Sequence, residues 1–272
     1  MITITKNKFE SYVVSATNAT AEVFEMLTQE IKSAEDNLVM DIIGDIVYKT
    51  IETYNENLQK ECERYICLLA FKNAMPSLDL VLTPTGFGVV NNQNVAPASL
   101  ERVSKLSISI AKSLDDCTEN IYMLLRGDAN WCESHQSKSL FTSIIWHSRI
   151  LRGFGYPDAN LSWLRAKANI IAVAEGQIKK KISHEFYSEL CSALRQKNET
   201  EMQKIVIHYI QGAICCIIDA PNGISNRIET SLFHFLDCNI SEFPTYKLSS
   251  AYEANHFTPH ANEKEDSCFF WG

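Results

Sequence analysis

The sequence contains no long apolar run. Its longest candidate, Ile214 to Ile218, is far shorter than the roughly 18 apolar residues that a membrane-spanning helix needs. The first residues, Met1 to Lys6, also lack a charged segment followed by an apolar stretch, so they do not resemble a signal peptide. We therefore expect a protein that stays in the cytoplasm and has no membrane partner.

The sequence has fewer basic residues than acidic residues. The chain carries 25 Lys and Arg against 33 Asp and Glu, which gives a formal net charge of -8. Proteins that hold nucleic acid through its phosphates need a basic face. The one basic run, Lys179 to Lys181, ends a helical pattern, where cations complement the C-terminus of a helix. We predict no sequence-specific binding to nucleic acid.

Sequence motifs for catalysis are missing as well. Gly86-Phe87-Gly88 lacks the lysine of a phosphate-binding loop and precedes β-branched residues instead of a helix. No Gly-x-Ser-x-Gly elbow is present to hold a nucleophile. Cys132 and His135 have the spacing of half a zinc site without a second half, and a proline separates His256 from His260. We predict no catalytic residue, no metal site and no cofactor.

The chain has nine cysteines, an odd number. Several of them fall at apolar positions of helical patterns, where a free thiol acts as a small buried hydrophobe; these are Cys62, Cys67, Cys191, Cys215 and Cys216. Together with the expected cytoplasmic location, this favours reduced thiols over disulfides.

Apolar residues are plentiful enough for a sizeable core, since they make up 46% of the chain. The most regular pattern is a series of apolar residues spaced by threes and fours: Val103, Leu106, Ile110, Leu114, Cys117, Ile121 and Leu124. This stripe predicts one long amphipathic helix that Ser99 caps. Similar spacing at Leu38, Ile42, Ile46 and Val47 predicts another helix, which Gly44 interrupts or kinks. We predict a mainly α protein built as a helical bundle.

Two regions depart from helical spacing. The segment of about 78–90 alternates apolar residues around a Pro/Gly turn, which predicts a β-hairpin or an extended loop. After Asn239 the helical period disappears, which predicts an irregular C-terminal arm. The polar stretch from Asp128 to Lys138 suggests a boundary, and a helix is predicted from Leu140 to Leu151. The expected division is 1–128, 139–239 and 240–272, unless the chain forms one continuous domain.

The chain ends in Phe269, Phe270 and Trp271, which are costly to leave in water. Such an end either folds back onto its own domain or docks on a neighbouring subunit, and the sequence does not decide between the two. We expect contact with partner proteins at this end and in the central segment, through Leu82, Phe87, Val89, Phe257, Phe269, Phe270 and Trp271.

Two stretches carry a family resemblance. One is Pro76 to Val90, continued by Asn94 to Ser99 and by Arg102-Val103. The other is Phe243 to Tyr246 with Ala251 to Phe257 and the terminal aromatic residues. Both resemble an uncharacterised family of virion structural proteins from Bacteroidetes phages and prophages, of the head–tail connector type. The family has no established catalytic residues to carry over.

The resemblance implies a non-enzymatic subunit that forms a ring at the neck of a virion. Its partners would be portal, neck or tail subunits, and DNA would pass through the assembled channel. The protein would be found in the virion, and in the bacterial cytoplasm during assembly.

Two other functions stay open at this point. One is a cytoplasmic adaptor or assembly chaperone that binds partner peptides in a helical groove. The other is an unfamiliar enzyme, which would have to gather some of His135, His147, His184 and His208 in one pocket with carboxylates.

Overall fold

The computed structural model describes residues 2–13, 21–78, 80–83, 86–89, 99–219 and 226–257. Over these residues the chain is mainly α-helical, which confirms the prediction of a mainly α protein. Its internal contacts divide it into two compact units. Unit 1 comprises Met1–Phe141, Trp146–Ala166 and Arg195–Lys197, and unit 2 comprises Thr142–Ile145, Lys167–Leu194 and Asn198–Gly272. The boundary expected between 128 and 139 falls inside unit 1.

The first part of unit 1 is a set of helices. They are α1 (Lys6–Tyr12), α2 (Ala21–Met26), α3 (Thr28–Leu38), α4 (Asp45–Tyr54) and α5 (Glu56–Ala74), with a π-helical turn at Val39–Ile43 between α3 and α4. The α5 helix begins where the Asn55 side chain accepts a hydrogen bond from the Asn57 N–H, and it packs against α3. On α1, Lys8 places its Nζ 2.6 Å from Oε1 of the buried Glu63, which ties α1 to α5.

Two short strands follow a 3₁₀ turn at Met75–Ser77. They are β1 (Leu80–Thr83) and β2 (Gly86–Val89), which pair antiparallel with Leu80 opposite Val89 and Thr83 opposite Gly86. The strands lie in the segment of about 78–90 for which the sequence predicts a hairpin or an extended loop. The long helix α6 (Leu100–Leu125) comes next, as the apolar stripe predicts, and buries Ile110, Cys117 and Ile121.

The remainder of unit 1 contains short helices. They are α7 (Ala129–Cys132), α8 (His135–Leu140), α9 (Ser148–Arg152) and α10 (Leu161–Ala166). The prediction of one helix from Leu140 to Leu151 is therefore wrong, because residues 141–147 are non-helical. The polar stretch from Asp128 to Lys138 is not a linker either, since Trp131 within it is fully buried.

Unit 2 is built around α13. Its helices are α11 (Ala168–Ile182), most of α12 (His184–Gln196), α13 (Glu201–Asp219), α14 (Asn226–Cys238), α15 (Pro244–Lys247) and α16 (Ser250–Asn255). The α13 helix packs against α11 and α14 and buries apolar residues on several faces, which confirms the central position predicted from its broad apolar face.

The irregular arm predicted for 240–272 is wrong for its first half. Residues Ile240–Glu242 form a 3₁₀ turn, and α15 and α16 follow. Phe243 and Tyr246 are buried, with ring centroids 5.6 and 5.7 Å from that of Phe186. These aromatic residues belong to the core of unit 2. Their buried rings supply the stabilising contacts that such short helices cannot provide by their own hydrogen bonds.

Candidate functional site

A groove in the described part of unit 1 is made of two adjoining concavities of about 300 and 270 Å³. The two share His135 and Gln136. We call this surface the acidic groove, and its lining residues are Met40, Asp41, Ile43, Gly44, Asp45, Ile46, Val47, Tyr122, Asn130, Glu133, Ser134, His135, Gln136, Ser139 and Leu140.

One wall of the acidic groove is the π-helical turn between α3 and α4. The N–H of Gly44 donates to the carbonyl of Val39, five residues earlier, at 2.9 Å. Gly44 then leaves the helix with φ 77°, a conformation that favours glycine. Such π turns occur often at functional sites. The extra residue in the turn leaves Met40 72% exposed and Ile46 65% exposed at the rim of the groove.

The opposite wall consists of α7 and α8, whose starts are capped locally. Asp128 accepts from the Trp131 N–H at 2.7 Å, and Ser134 accepts from the Ser137 N–H at 3.1 Å. Two side chains then bind carbonyls of the π turn. Trp131 Nε1 donates to the Ile42 carbonyl at 2.9 Å, and Gln136 Nε2 donates to the Met40 carbonyl at 2.8 Å. These two hydrogen bonds fix the positions of α7 and α8 relative to the π turn.

The charge of the acidic groove comes from three exposed carboxylates, Asp41, Asp45 and Glu133. Lys138 Nζ lies 2.8 Å from Glu133 Oε2 and offsets one of them. The exposed Met40 and Ile46 side chains stand beside these charges. A surface of this kind suits a ligand that offers cations next to apolar groups.

The four histidines of the enzyme hypothesis lie in different surroundings. His135 lines the acidic groove, His147 is buried in unit 1, and His184 and His208 are exposed on unit 2. Cys132, the suggested zinc partner of His135, is buried, and its Sγ donates to the Arg195 carbonyl at 3.1 Å. In the described ranges, no three His, Cys, Asp or Glu residues are grouped to hold a metal ion.

A buried cluster in unit 1 contains the residue types of a catalytic triad, but its hydrogen bonds are not those of a triad. Glu119, His147 and Ser148 are each at most 2% exposed. The Ser148 hydroxyl donates to Glu119 Oε2 at 2.9 Å, and the Ser148 N–H donates to Oε1 at 2.7 Å. A catalytic serine would instead donate to the histidine and face a cleft. The cluster therefore serves to anchor the start of α9.

Burial, together with the charges of Arg149 and Arg152, lowers the pKa of His147 to about 4. Its Nδ1 accepts from the Arg149 N–H at 3.1 Å, which requires the unprotonated nitrogen at this position. His147 is thus a neutral cap of α9.

A second buried polar cluster, in unit 2, holds the non-helical segment 142–145. The Ile144 N–H donates to the Tyr187 hydroxyl at 3.1 Å, and Gln211 Nε2 donates to the Ile144 carbonyl at 3.4 Å. Ser143 donates to Glu175, a buried carboxylate. Burial, together with the Glu175 charge, raises the pKa of Tyr187. These hydrogen bonds pair the backbone N–H and carbonyl groups of a buried loop. Leaving such groups unpaired in the interior would cost free energy.

The described cysteines are thiols that form no disulfide with one another. Burial raises the pKa of Cys67 and of Cys215 to about 12, and it also raises the pKa of Cys62 and Cys117. A thiol with so high a pKa carries almost no thiolate at neutral pH, so these four behave as core residues and not as nucleophiles.

The predicted contact residues are only partly within the described structure. In the strand pair, Leu82 is opposite Phe87, and Val89 ends β2. Phe257 follows α16 and is 76% exposed. Phe269, Phe270 and Trp271 lie outside the described residues.

Sequence reasoning missed the exposed apolar residues of unit 1. It placed both Ile46 and Val47 on the buried stripe of their helix, but only Val47 is buried, together with Ile51, and Ile46 faces water. The signal was Gly44, which breaks the pattern between Ile42 and Ile46. Leu100 and Ile108 at the start of α6 were also missed, and they are 86% and 67% exposed.

Residues 25–140 match a family of unknown function (DUF6712). The matched part is less than half of the chain, and it includes the whole acidic groove, the strand pair and α6. The chain is similar to this family over that part, and a family without known function supplies no site residues. No curated protein and no solved structure matches the chain.

Proposed function

We propose that the protein is a non-enzymatic virion structural protein, a head–tail connector or tail-completion subunit that assembles into a ring. The resemblance of residues 76–103 to phage structural proteins suggests this role. The observation that carries the proposal is the start of α6, which overlaps the end of that segment and presents apolar side chains to water.

Across residues 100–109, all of which the structure describes, no side chain is buried. Leu100 and Ile108 are largely exposed there, although burial of such side chains is worth roughly 1.5–3 kcal/mol each. A helix that is amphipathic along its length but buried only from Ile110 onward has an uncovered end. Exposed apolar residues grouped on one helix end are typical of surfaces that bind another protein.

The polar clusters of the chain support a structural role in another way. In both the Glu119 and the Glu175 clusters, the carboxylate is engaged by side-chain or backbone donors and is almost fully buried. These groups therefore stabilise loops and helix ends. Among the described residues, the acidic groove and the start of α6 are accessible, and both suit protein contacts.

Purified phage particles from a host that carries the gene test the proposal. We expect peptides of this protein in the particles in a fixed ratio to the portal protein, by quantitative mass spectrometry, and density for a ring at the neck by electron microscopy. Particles that lack the protein after gradient purification would overturn the proposal.

A second candidate is an adaptor or assembly chaperone, which the acidic groove favours because it could hold a peptide. This function predicts that the protein is needed for particle assembly but is absent from the finished particle. The same mass-spectrometric measurement on assembly intermediates and on mature particles separates the two functions.

A further inference from the structure

We infer that the acidic groove of one subunit receives the first turns of α6 of a second copy of the chain. This inference rests on the proposed ring-forming function and names the contact that would build the ring. Both surfaces belong to unit 1. They have opposite charges, both expose apolar side chains, and they lie too far apart to meet within one subunit.

The charges of the two surfaces are opposite. Residues 100–112 carry the cations Arg102, Lys105 and Lys112 against the single anion Glu101. Lys105 remains 74% exposed in its side chain even while paired with Glu101 at 2.6 Å. The groove offers the exposed carboxylates Asp41 and Asp45, together with Glu133, whose charge is offset by Lys138 at 2.8 Å. Opposite potentials of this kind orient two proteins as they meet and fix their register.

The apolar residues match as well. Leu100 and Ile108 are eight residues apart, so they lie about 80° apart around α6, on one side of the helix with the small Ser104 between them. On the groove, Met40 and Ile46 are exposed at 72% and 65%. Pairing these four side chains would cover the largest exposed apolar groups of both surfaces. Methionine adapts its shape to a partner, which suits it to the rim of such a groove.

The position of the surfaces makes the contact intermolecular. Tyr122 of α6 lines the groove. At 1.5 Å per residue, Leu100 lies about 33 Å and Ile108 about 21 Å away from Tyr122 along the helix axis. The start of α6 therefore cannot fill the groove of its own subunit.

An interface between two different surfaces of identical subunits is heterologous. Each subunit then has one groove and one free helix start, so the contact repeats from subunit to subunit. Repetition closes into a ring when the rotation between neighbours allows it and otherwise extends into a filament. A connector ring needs an interface of this type.

Two double variants of the full chain test the inference. The groove variant carries Met40→Asp and Ile46→Asp, and the helix variant carries Leu100→Asp and Ile108→Asp. All four positions are exposed, so we expect both variants to fold with an unchanged circular-dichroism spectrum. The control carries Met26→Asp and Val173→Asp, which change residues exposed at 67% and 62% elsewhere.

Sedimentation velocity measures the outcome. We expect the wild type and the control to self-associate in the same concentration range, and each test variant to associate roughly tenfold more weakly or worse. An equimolar mixture of the groove and helix variants should form a one-to-one dimer and nothing larger. In that dimer the intact helix start of one variant occupies the intact groove of the other, and only the two altered surfaces remain.

Three results would overturn the inference: a wild type that stays monomeric at its highest soluble concentration, test variants that associate like the control, or a mixture that forms no dimer. Failure of the proposed function is seen separately, because it depends on whether purified particles contain the protein. A protein found in particles whose variants behave like the control would refute this interface and leave the virion role in place.

Discussion

At the scale of single residues, His147 is the group that should make folding sensitive to acid. Its pKa is lowered to about 4 in the folded chain, against an ordinary value of 6.5. Between these values the unfolded chain binds a proton that the folded chain does not. The stability contributed by neutral His147 is therefore complete above pH 6.5 and is lost as the pH falls toward 4.

We expect this loss to reach at most about 3 kcal/mol, because one pKa unit corresponds to about 1.4 kcal/mol. The variant His147→Asn should lose less stability over the same range, since the Asn side-chain oxygen can accept from the Arg149 N–H without titrating. Urea unfolding at several pH values between 7 and 4 measures both proteins. Equal pH dependence of the two would show that His147 is not the sensitive group.

Gly44 is the second residue with a distinct role. Its φ of 77° is strained for any residue with a side chain, and a Cβ there would lie 3.4 Å from Gln136 Oε1. We expect Gly44→Ala to lower the free energy of unfolding by about 1–2 kcal/mol. The control is Gly176→Ala within α11, where a Cβ meets nothing within 4 Å and helix propensity should add up to about 1 kcal/mol. Thermal unfolding of both variants should move in opposite directions.

At the scale of elements, the segment 142–145 departs most clearly from its predicted helix. Ile144 and Ile145 are buried in the segment, and their apolar spacing resembles that of a helix. The backbone of Ile144 is paired instead with Tyr187 and Gln211, which come from α12 and α13. Partners so distant in sequence cannot be inferred from local spacing.

We expect Tyr187→Phe to destabilise the protein by about 1–3 kcal/mol, because it leaves the buried Ile144 N–H without an acceptor. Hydrogen exchange of the Ile144 amide should become faster in the variant. The control is Tyr209→Phe on α13, a half-buried tyrosine whose loss should cost little. An Ile144 amide that exchanges as slowly in the variant as in the wild type would contradict this role.

The helices that were predicted correctly are those whose apolar stripe is long and unbroken. The α6 helix is the clearest example, because seven apolar residues recur at helical spacing and the hydrogen bonds of a helix are local. The π turn after α3 shows where prediction from apolar spacing fails. One inserted residue rotates the following helix, so Ile46 faces water although the spacing from Ile42 places it on the buried side.

At the scale of the whole molecule, the C-terminal part of the described chain belongs to the core of unit 2. Phe243 is 1% exposed and contacts Phe186 and Phe235. We expect Phe243→Ala to cost about 3–5 kcal/mol, because it leaves a cavity in that core. The control is Leu248→Ala, at a residue 84% exposed, which should change stability by less than about 0.5 kcal/mol.

Hydrogen exchange locates the effect of Phe243→Ala. Faster exchange should be confined at first to α12, α14 and α15, which contribute rings to the same cluster. A variant as stable as the Leu248→Ala control would mean that Phe243 does not support the core.

The division into units was not accessible from sequence, because each unit is assembled from separate stretches of chain. Residues 142–145 belong to unit 2, while the residues on both sides of them belong to unit 1. A change in composition reveals a boundary between units only where the chain crosses that boundary in a solvent-exposed linker. The polar stretch after Asp128 has such a composition but contains Trp131, whose burial places the stretch in a core.

The sequence by itself determined that the chain is mainly helical, and it located α6 and the apolar positions of α13, since helix formation depends on neighbours three and four residues away. Only the tertiary structure decided which residues line the acidic groove and which apolar side chains of α6 are exposed. The acidic groove joins Met40 to Gln136 and Ile42 to Trp131, pairs that are 96 and 89 residues apart. The exposure of Leu100 and Ile108 depends likewise on what packs against α6 and not on their order in the chain.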